Sequence, residues 1–363
     1  MVYYNFRGSI FVEELVNKKW YLNWKVWFGI LISLGALYWT FKDSNLREIL
    51  NSIEKAKWLV ILASFPFFIG GILLRTYRWS YLIKDDTSTL RQRYNAINIG
   101  FMVTSLLPLR LGELARMYVF AKSVKRSAVE ILATIVVERF FDVLAILILF
   151  VSALPFVPIQ AVKELGLADI PQWKIQVIAW SIVIIALAIF LIVSRFGRSL
   201  INIAVPKFGL ENSKIVSLAD SLFNGLEVLW VKRRILKVLF LSLLMWTVTT
   251  LTFYVALFAF PSGNTTLGAL LGVEGTIFLQ GVLCGFVALP SAPGFFGVWH
   301  AAAKTAFIPY ATADHSSILA FAVVIHLLNY FLTIILGLEA LKNEGMNWGD
   351  IQTSDNENRE CSK

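Results

Sequence analysis

The chain has 363 residues; 57% are hydrophobic, only 16% are charged, and the mean hydropathy is +0.68. A soluble domain carries about 25% charged residues, so a water-soluble fold is excluded, and recurring apolar runs of about twenty residues predict a polytopic membrane protein. The net charge of +9 does not indicate nucleic acid, because the lysines and arginines gather between apolar runs, as they do in cytoplasmic loops. The two cysteines, Cys284 in an apolar run and Cys361 in the tail, give no disulfide framework, and no Cys/His spacing marks a metal site.

Residues 1–23 carry charges but no short apolar core with a small-residue cleavage site, so no cleavable signal peptide is expected. They read as a cytoplasmic or interfacial segment, with 9–20 weakly amphipathic. Six full spans are predicted, at about 24–41, 58–81, 128–151, 175–193, 235–260 and 318–341, each long enough for a hydrocarbon core of about 30 Å. Two more apolar stretches are interrupted. The first, 94–120, is broken from Pro108 to Gly112; the second, 267–308, is broken around Pro290, Pro293, Gly294 and Gly297. Proline removes a backbone donor and clashes with the preceding turn, so neither stretch is expected to be one continuous helix. Between spans four and five, Ile215, Ala219, Leu222, Phe223, Leu226, Leu229 and Trp230 repeat at helical spacing. They fit a helix lying on the membrane or one packed against the bundle. The polar tail, 342–363, reads as a disordered cytoplasmic segment.

Flanking charge orients the interrupted stretches. The first lies between Lys84, Arg91 and Arg93 on one side and Lys122, Lys125 and Arg126 on the other, which places both flanks in the cytoplasm. The second is flanked by 261–266 and 309–317, which hold no lysine or arginine, so both flanks are expected outside. A segment that begins and ends on one side is re-entrant. The expected fold is therefore all-α: six spanning helices plus two re-entrant broken hairpins, in a membrane domain over 24–341. It divides into two inverted halves of about 24–151 and 175–341, with both termini cytoplasmic. The segment 42–57, placed outside, departs from this logic because it carries four basic residues. Paired broken helices in inverted halves point to a transport site near the midplane.

The first break holds three charges, Arg110, Glu113 and Arg116, in apolar surroundings. A charge at the bilayer centre costs roughly 2.5–3.5 kcal/mol on insertion scales, which marks the segment as a site; the alternative is a plain cytoplasmic loop. Arg75 and Arg78, at i and i+3, share a helix face near the end of span two, for function or for snorkelling to the interface. Glu138, Arg139 and Asp142 lie within span three, as part of a site or as a structural ion cluster. Arg139 reaches Asp142 at i+3, so losing Arg139 alone is expected to strand a buried carboxylate. Arginine exceeds acid in this set, which suits a phosphate head group because guanidinium meets phosphate in a bidentate fork. In the second half Glu274, His300 and His326 are candidates for a proton-linked role, with His300 and His326 expected to approach each other and to make activity depend on pH between about 5.5 and 7.5. The alternative is two unrelated core histidines.

The pattern Arg75-x-x-Arg78-Trp79, Leu107-Pro108-x-Arg110-x-Gly112-Glu113-x-x-Arg116, Glu138-Arg139-x-x-Asp142 and Pro290-Ser291-Ala292-Pro293-Gly294-x-x-Gly297 resembles the lysylphosphatidylglycerol synthase transmembrane-region family, also described as the UPF0104 or flippase-domain family. The resemblance covers about 25–341. It implies a protein of the bacterial or archaeal cytoplasmic membrane and translocation of a lipid or lipid-linked substrate. The chain departs from the family pattern where relatives often carry an acid after the second glycine motif, here Trp299-His300, and an arginine in the last span, here His326. The synthase activity of fused relatives belongs to a separate soluble domain, which the short tail does not provide.

The expected function is movement of an anionic or phosphate-bearing lipid between leaflets, with Arg110 and Arg116 on the head group and Glu113, Glu138 and Asp142 balancing charge. Membrane lipids are the expected partners, and nucleic acid is not. No nucleotide loop or metal signature is present, so no cofactor and no enzymatic activity are expected. The rival readings are a non-transporting partner of a lipid-modifying enzyme or glycosyltransferase, and an intramembrane transferase using Glu113 or Asp142 as base.

Overall fold

The computed structural model describes residues 24–84, 87–108, 111–158, 171–208, 230, 234–310 and 312–347, without the side chains of 25 and 200–208. The amphipathic segments expected at 9–20 and 215–229, and the tail beyond 347, lie outside the described residues.

Eleven α-helices make up the described chain: α1 (Trp24–Phe41), α2 (Leu46–Glu54), α3 (Trp58–Ser80), α4 (Leu90–Leu106), α5 (Gly112–Val124), α6 (Ala128–Ala153), α7 (Gln172–Phe208), α8 (Arg234–Leu257), α9 (Leu267–Val287), α10 (Val298–Phe307) and α11 (His315–Asn343). A two-residue β-hairpin pairs Pro261 with Thr266 and Ser262 with Thr265. The fold is an all-α membrane fold. Five helices, α3, α7, α8, α9 and α11, are long and apolar enough to cross a bilayer. α6 has 26 residues, about 39 Å at 1.5 Å per residue. It is long enough to cross, but it carries Glu138, Arg139 and Asp142. α9 was expected to be part of a broken hairpin, yet its 21 residues are of spanning length, with a kink at Gly272 (φ 63°).

Two segments differ from the sequence reading. The stretch 42–57 contains α2, whose Asn45 side chain accepts from Arg47 N and whose Leu46, Ile49, Leu50 and Ile53 fall on one face. α7 continues from the apolar run to Phe208, through Arg195 and Arg198. Those basic residues mark the end of the membrane-grade run but carry good helix propensity, so the helix does not stop with the apolar pattern.

Side-chain pairs fix how the helices run. α3 and α8 are antiparallel neighbours: Lys57 N donates to Ala259 O at one end, Arg78 meets Ser242 near the other, and Lys237 lies over Tyr81. α4 and α5 are antiparallel as well. Gln92 bonds Ser123 at their open end, and Gly100 faces Gly112 and Arg116 near the turn. At Gly112 an added Cβ would run into Gly100 O and Thr104, so the two helices touch through backbone. α4 also runs antiparallel to α11, from Asn95–Glu344 to Met102–Gly337. α9 packs on α6, α8 and α10, and α10 on α11 and α1.

Two buried clusters follow from this packing. One joins α4, α5 and α6 with the end of α3, around Trp79, Ile97, Phe120 and Phe141. The other joins α9, α10, α11 and the end of α8, around Phe260, Leu279 and Phe321. Outside them, α7 exposes Ile178, Ile182, Ile185, Ile189 and Ile192 along one stripe, and α1 exposes Trp24, Trp27, Leu31, Leu34 and Tyr38. Apolar stripes of this length are unsuited to water and suit lipid.

Candidate functional site: a buried arginine–carboxylate network

α3, α5 and α6 bring five charged side chains to one point. On α3, Arg75 and Arg78 are one turn apart; on α6, Glu138 and Asp142 are one turn apart; the two faces meet. Arg75 Nη1 donates to Glu138 Oε1 at 2.9 Å and to Asp142 Oδ2 at 2.8 Å. Arg78 Nη1 donates to Asp142 Oδ1 at 2.7 Å and to the Ser242 hydroxyl of α8 at 2.7 Å. From α5, Arg116 grips Glu138 with both terminal nitrogens, at 3.0 and 2.7 Å. Trp246 Nε1 adds a third hydrogen bond to Asp142 at 3.2 Å. Arg78 and Glu138 are wholly buried. The guanidinium of Arg116 also lies 3.7 Å from the centre of the Trp79 ring, and Trp79 Nε1 donates to Thr134 Oγ1 at 2.9 Å.

An outer pair lies against this core. Arg139 meets Glu113 at 3.1 Å and Asp142 at 3.2 Å, with its side chain 37% exposed. The i+3 reach of Arg139 to Asp142 is therefore present, but Arg75 and Arg78 hold that carboxylate in the interior. The expectation that loss of Arg139 alone strands a buried carboxylate is therefore corrected. Arg116, assigned from sequence to a head group, is committed to Glu138. Arg110 lies outside the described residues.

Four arginines (75, 78, 116, 139) face three acids (113, 138, 142), which leaves one positive charge. Donors are also in excess, since Nε of Arg78 and Nε of Arg116 are buried without a hydrogen-bond partner. Such a group of donors accommodates an anion better than it accommodates any further cation.

Arg75 also opens onto a cavity of about 170 Å³ between α3, α4, α8 and α11, whose walls include Phe101, Trp246, Thr249 and Asn329. The sequence reading missed Trp246, Ser242 and Thr249. The available signal was Ser242, Trp246 and Thr249 recurring at helical spacing in an otherwise apolar run.

The two breaks share a second cavity of about 260 Å³. Leu107 and Pro108 line it from one side, and Leu289, Pro290 and Ser291 from the other. At the second break Gly294 (φ 68°) and Gly297 (φ 84°) take left-handed conformations that side chains disfavour. α1 closes on this break: Ala292 N donates to Ser33 Oγ at 2.8 Å, and a Cβ at Gly297 would enter the Ser33 backbone. Lys304 of α10 donates to the carbonyls of Trp39 and Thr40 at 3.0 Å, satisfying the end of α1.

His300 and His326 lie edge to face with ring centroids 4.9 Å apart. His326 Nε2 lies 2.8 Å from Gly294 O, and since a carbonyl only accepts, that nitrogen carries the proton. Phe41, Phe296 and Trp299 surround the pair. Glu274 is not brought to it. That residue is exposed near Tyr310, beside the Gly272 kink. His300 and His326 thus approach each other as expected, and among the described residues no carboxylate contacts either ring. No group of three or more His, Cys, Asp or Glu that could hold a metal occurs among the described residues.

Helices of spanning length around a buried charged network define a polytopic α-helical membrane protein. The chain matches the family described as lysylphosphatidylglycerol synthase TM region over residues 26–337, and it belongs to that family. It is 30% identical over 237 residues to the UPF0104 membrane protein MJ1078 of Methanocaldococcus jannaschii, covering 65% of this chain and 91% of that one. No solved structure matches it.

Proposed function

We propose that this protein moves a phosphate-bearing lipid between the leaflets of the cell membrane, with Arg75 and the cavity beside it as the head-group site. The observation that carries the reading is a buried network with one uncompensated positive charge, opening through Arg75 onto a largely apolar cavity. A lipid phosphate supplies the missing anion, and guanidinium is the side chain best matched to it. The role is transport; no catalytic step on the lipid is part of the proposal.

The architecture proposed with it has two inverted halves, one containing the α4–α5 hairpin and the other the α9–α10 pair, both re-entrant. Equivalent contacts support this. α3 packs along α8, its counterpart, in antiparallel fashion. α4 against α11 is mirrored by α9 against α6, and α5 against α6 by α10 against α11. The outer helices depart from the scheme, since α1 packs on α10 whereas α7 packs on α6. The end bearing Lys84, Arg91, Lys122 and Arg126 is assigned to the cytoplasm, with both chain termini.

The test is movement of a fluorescent anionic phospholipid across the bilayer of vesicles reconstituted with purified protein. Vesicles with wild type are expected to equilibrate the probe, and empty vesicles are not. Gly71→Leu adds a side chain to the cavity lining, against Thr249 and one turn before Arg75, and should slow movement at least about tenfold, a 1.4 kcal/mol change in barrier. Equal rates for wild-type and empty vesicles would reject the reading.

A further inference from the structure

We infer that the head group handled here is a phosphate ester of an uncharged polyol, of glycerol or monosaccharide size, with Asn329 reading its hydroxyls. The inference rests on the function proposed above and specifies its substrate class.

Asn329 is the fifteenth of the 29 residues of α11, at the midpoint of a helix long enough to span. An amide at that depth is costly unless it is hydrogen-bonded. Asn329 has no hydrogen-bond partner among the described residues, and it lines the same cavity as Arg75. An amide offers both donors and an acceptor, which is what a hydroxyl needs. Two threonines of α8, Thr249 and Thr252, line the same cavity. Thr249 Oγ1 donates to Met245 O at 2.9 Å and Thr252 Oγ1 to Val248 O at 3.3 Å. Their protons are committed to the helix, so what they present to the cavity is acceptor lone pairs. The polar groups that share the lining with the guanidinium are thus neutral and matched to hydroxyl groups.

The same walls disfavour an ammonium head group. Aromatic faces could attract one, but Arg75 already stands over two of the lining rings, 5.5 Å from the Phe101 ring centre and 5.9 Å from that of Trp246. A second cation there would meet a like charge. Among the described residues Arg75 is the only charged one on the lining, and none of them offers a free carboxylate to offset that repulsion. Size sets the remaining limit. About 170 Å³ holds about six waters at roughly 30 Å³ each, which is room for a glycerol or a small sugar.

The experiment uses the full chain in detergent, with short-chain lipids that differ only in head group: dihexanoyl phosphatidylglycerol, phosphatidylmethanol and phosphatidylcholine. Phosphatidylmethanol keeps the diester charge and lacks the hydroxyls. Wild type should be stabilised against heat by both anionic lipids, with the larger shift from phosphatidylglycerol, and hardly at all by phosphatidylcholine. Asn329→Leu should reduce the phosphatidylglycerol shift to that of phosphatidylmethanol and leave the latter unchanged; Thr249→Val should act in the same direction. Equal shifts from phosphatidylglycerol and phosphatidylmethanol in wild type, or an Asn329→Leu protein that keeps the full difference, would overturn the inference while leaving the phosphate site intact. Absence of any shift from either anionic lipid would instead overturn the phosphate site, and this inference with it.

Discussion

Asp142 receives Arg75 on one carboxylate oxygen and Arg78 on the other, at 2.8 and 2.7 Å, so a single side chain of α6 holds two successive turns' worth of charge on α3. Removing it leaves three buried guanidiniums, Arg75, Arg78 and Arg116, with a single buried carboxylate, Glu138, to share. Asp142→Ala is expected to destabilise the protein by about 3–5 kcal/mol, the usual penalty for breaking a buried pair. The readout is the melting midpoint in detergent, and a wild-type midpoint would mean that the network is hydrated.

Arg139→Ala, by contrast, is expected to cost at most about 1 kcal/mol, because its side chain is more than a third exposed and solvent screens its pairs with Glu113 and Asp142. Measured beside Asp142→Ala, it separates the inner network from the outer pair. Equal losses in the two variants would contradict the ranking drawn from burial.

Gly112→Ala should prevent folding. An added Cβ would enter the Gly100 backbone and Thr104, and backbone cannot yield as a flexible side-chain end can. Gly35→Ala, where nothing lies within 4 Å, is the matched control and should purify as wild type. Comparable yields of the two after membrane extraction would show that α4 and α5 are not in backbone contact.

Sidedness can be read by labelling single cysteines with a reagent that does not cross the membrane, in a background lacking Cys284 and Cys361. Gly263→Cys and Asp314→Cys should both react from outside, since Asp314 N donates to Ser262 Oγ and the two positions share one end of the bundle. Thr87→Cys and Ser123→Cys should react only after permeabilisation. Labelling of Thr87→Cys and Gly263→Cys from the same side would dismantle the inverted arrangement.

His326→Phe should destabilise the second break by about 1–3 kcal/mol by leaving Gly294 O without its donor, whereas His326→Gln, which keeps an N–H, should be milder. Thermal melts of the two variants measure the difference. Equal midpoints would assign His326 to packing alone.

The breaks and the charged turns were legible in the sequence because proline, glycine and ionised groups are costly in lipid, and cost marks position. Pro108 and Pro290 announced interruptions, and Glu138 with Asp142 announced a charged face. The partners were less legible. One-dimensional spacing joins Arg139 to Asp142 at i+3 but cannot register that α3 crosses α6 at Arg75 and Arg78. The polar residues of α8, Ser242 and Trp246, look ordinary in an apolar helix until Arg78 and Asp142 are placed against them. α2 escaped although Leu46, Ile49, Leu50 and Ile53 recur at helical spacing, because a nine-residue helix is too short to stand out as a span and the reading of the segment rests only on its charge.

The backbone contact between Gly100 and Gly112 makes α4 and α5 a single stiff lever. Such a lever cannot bend at its middle, so any displacement of it has to be taken up at its pivots, the tip near Leu107 and the roots near Thr89 and Lys125. Lys125 already sits in a left-handed conformation, φ 55°, where the chain turns from α5 toward α6. The bidentate bond from Arg116 to Glu138 is then the latch that a swing away from α6 would have to part.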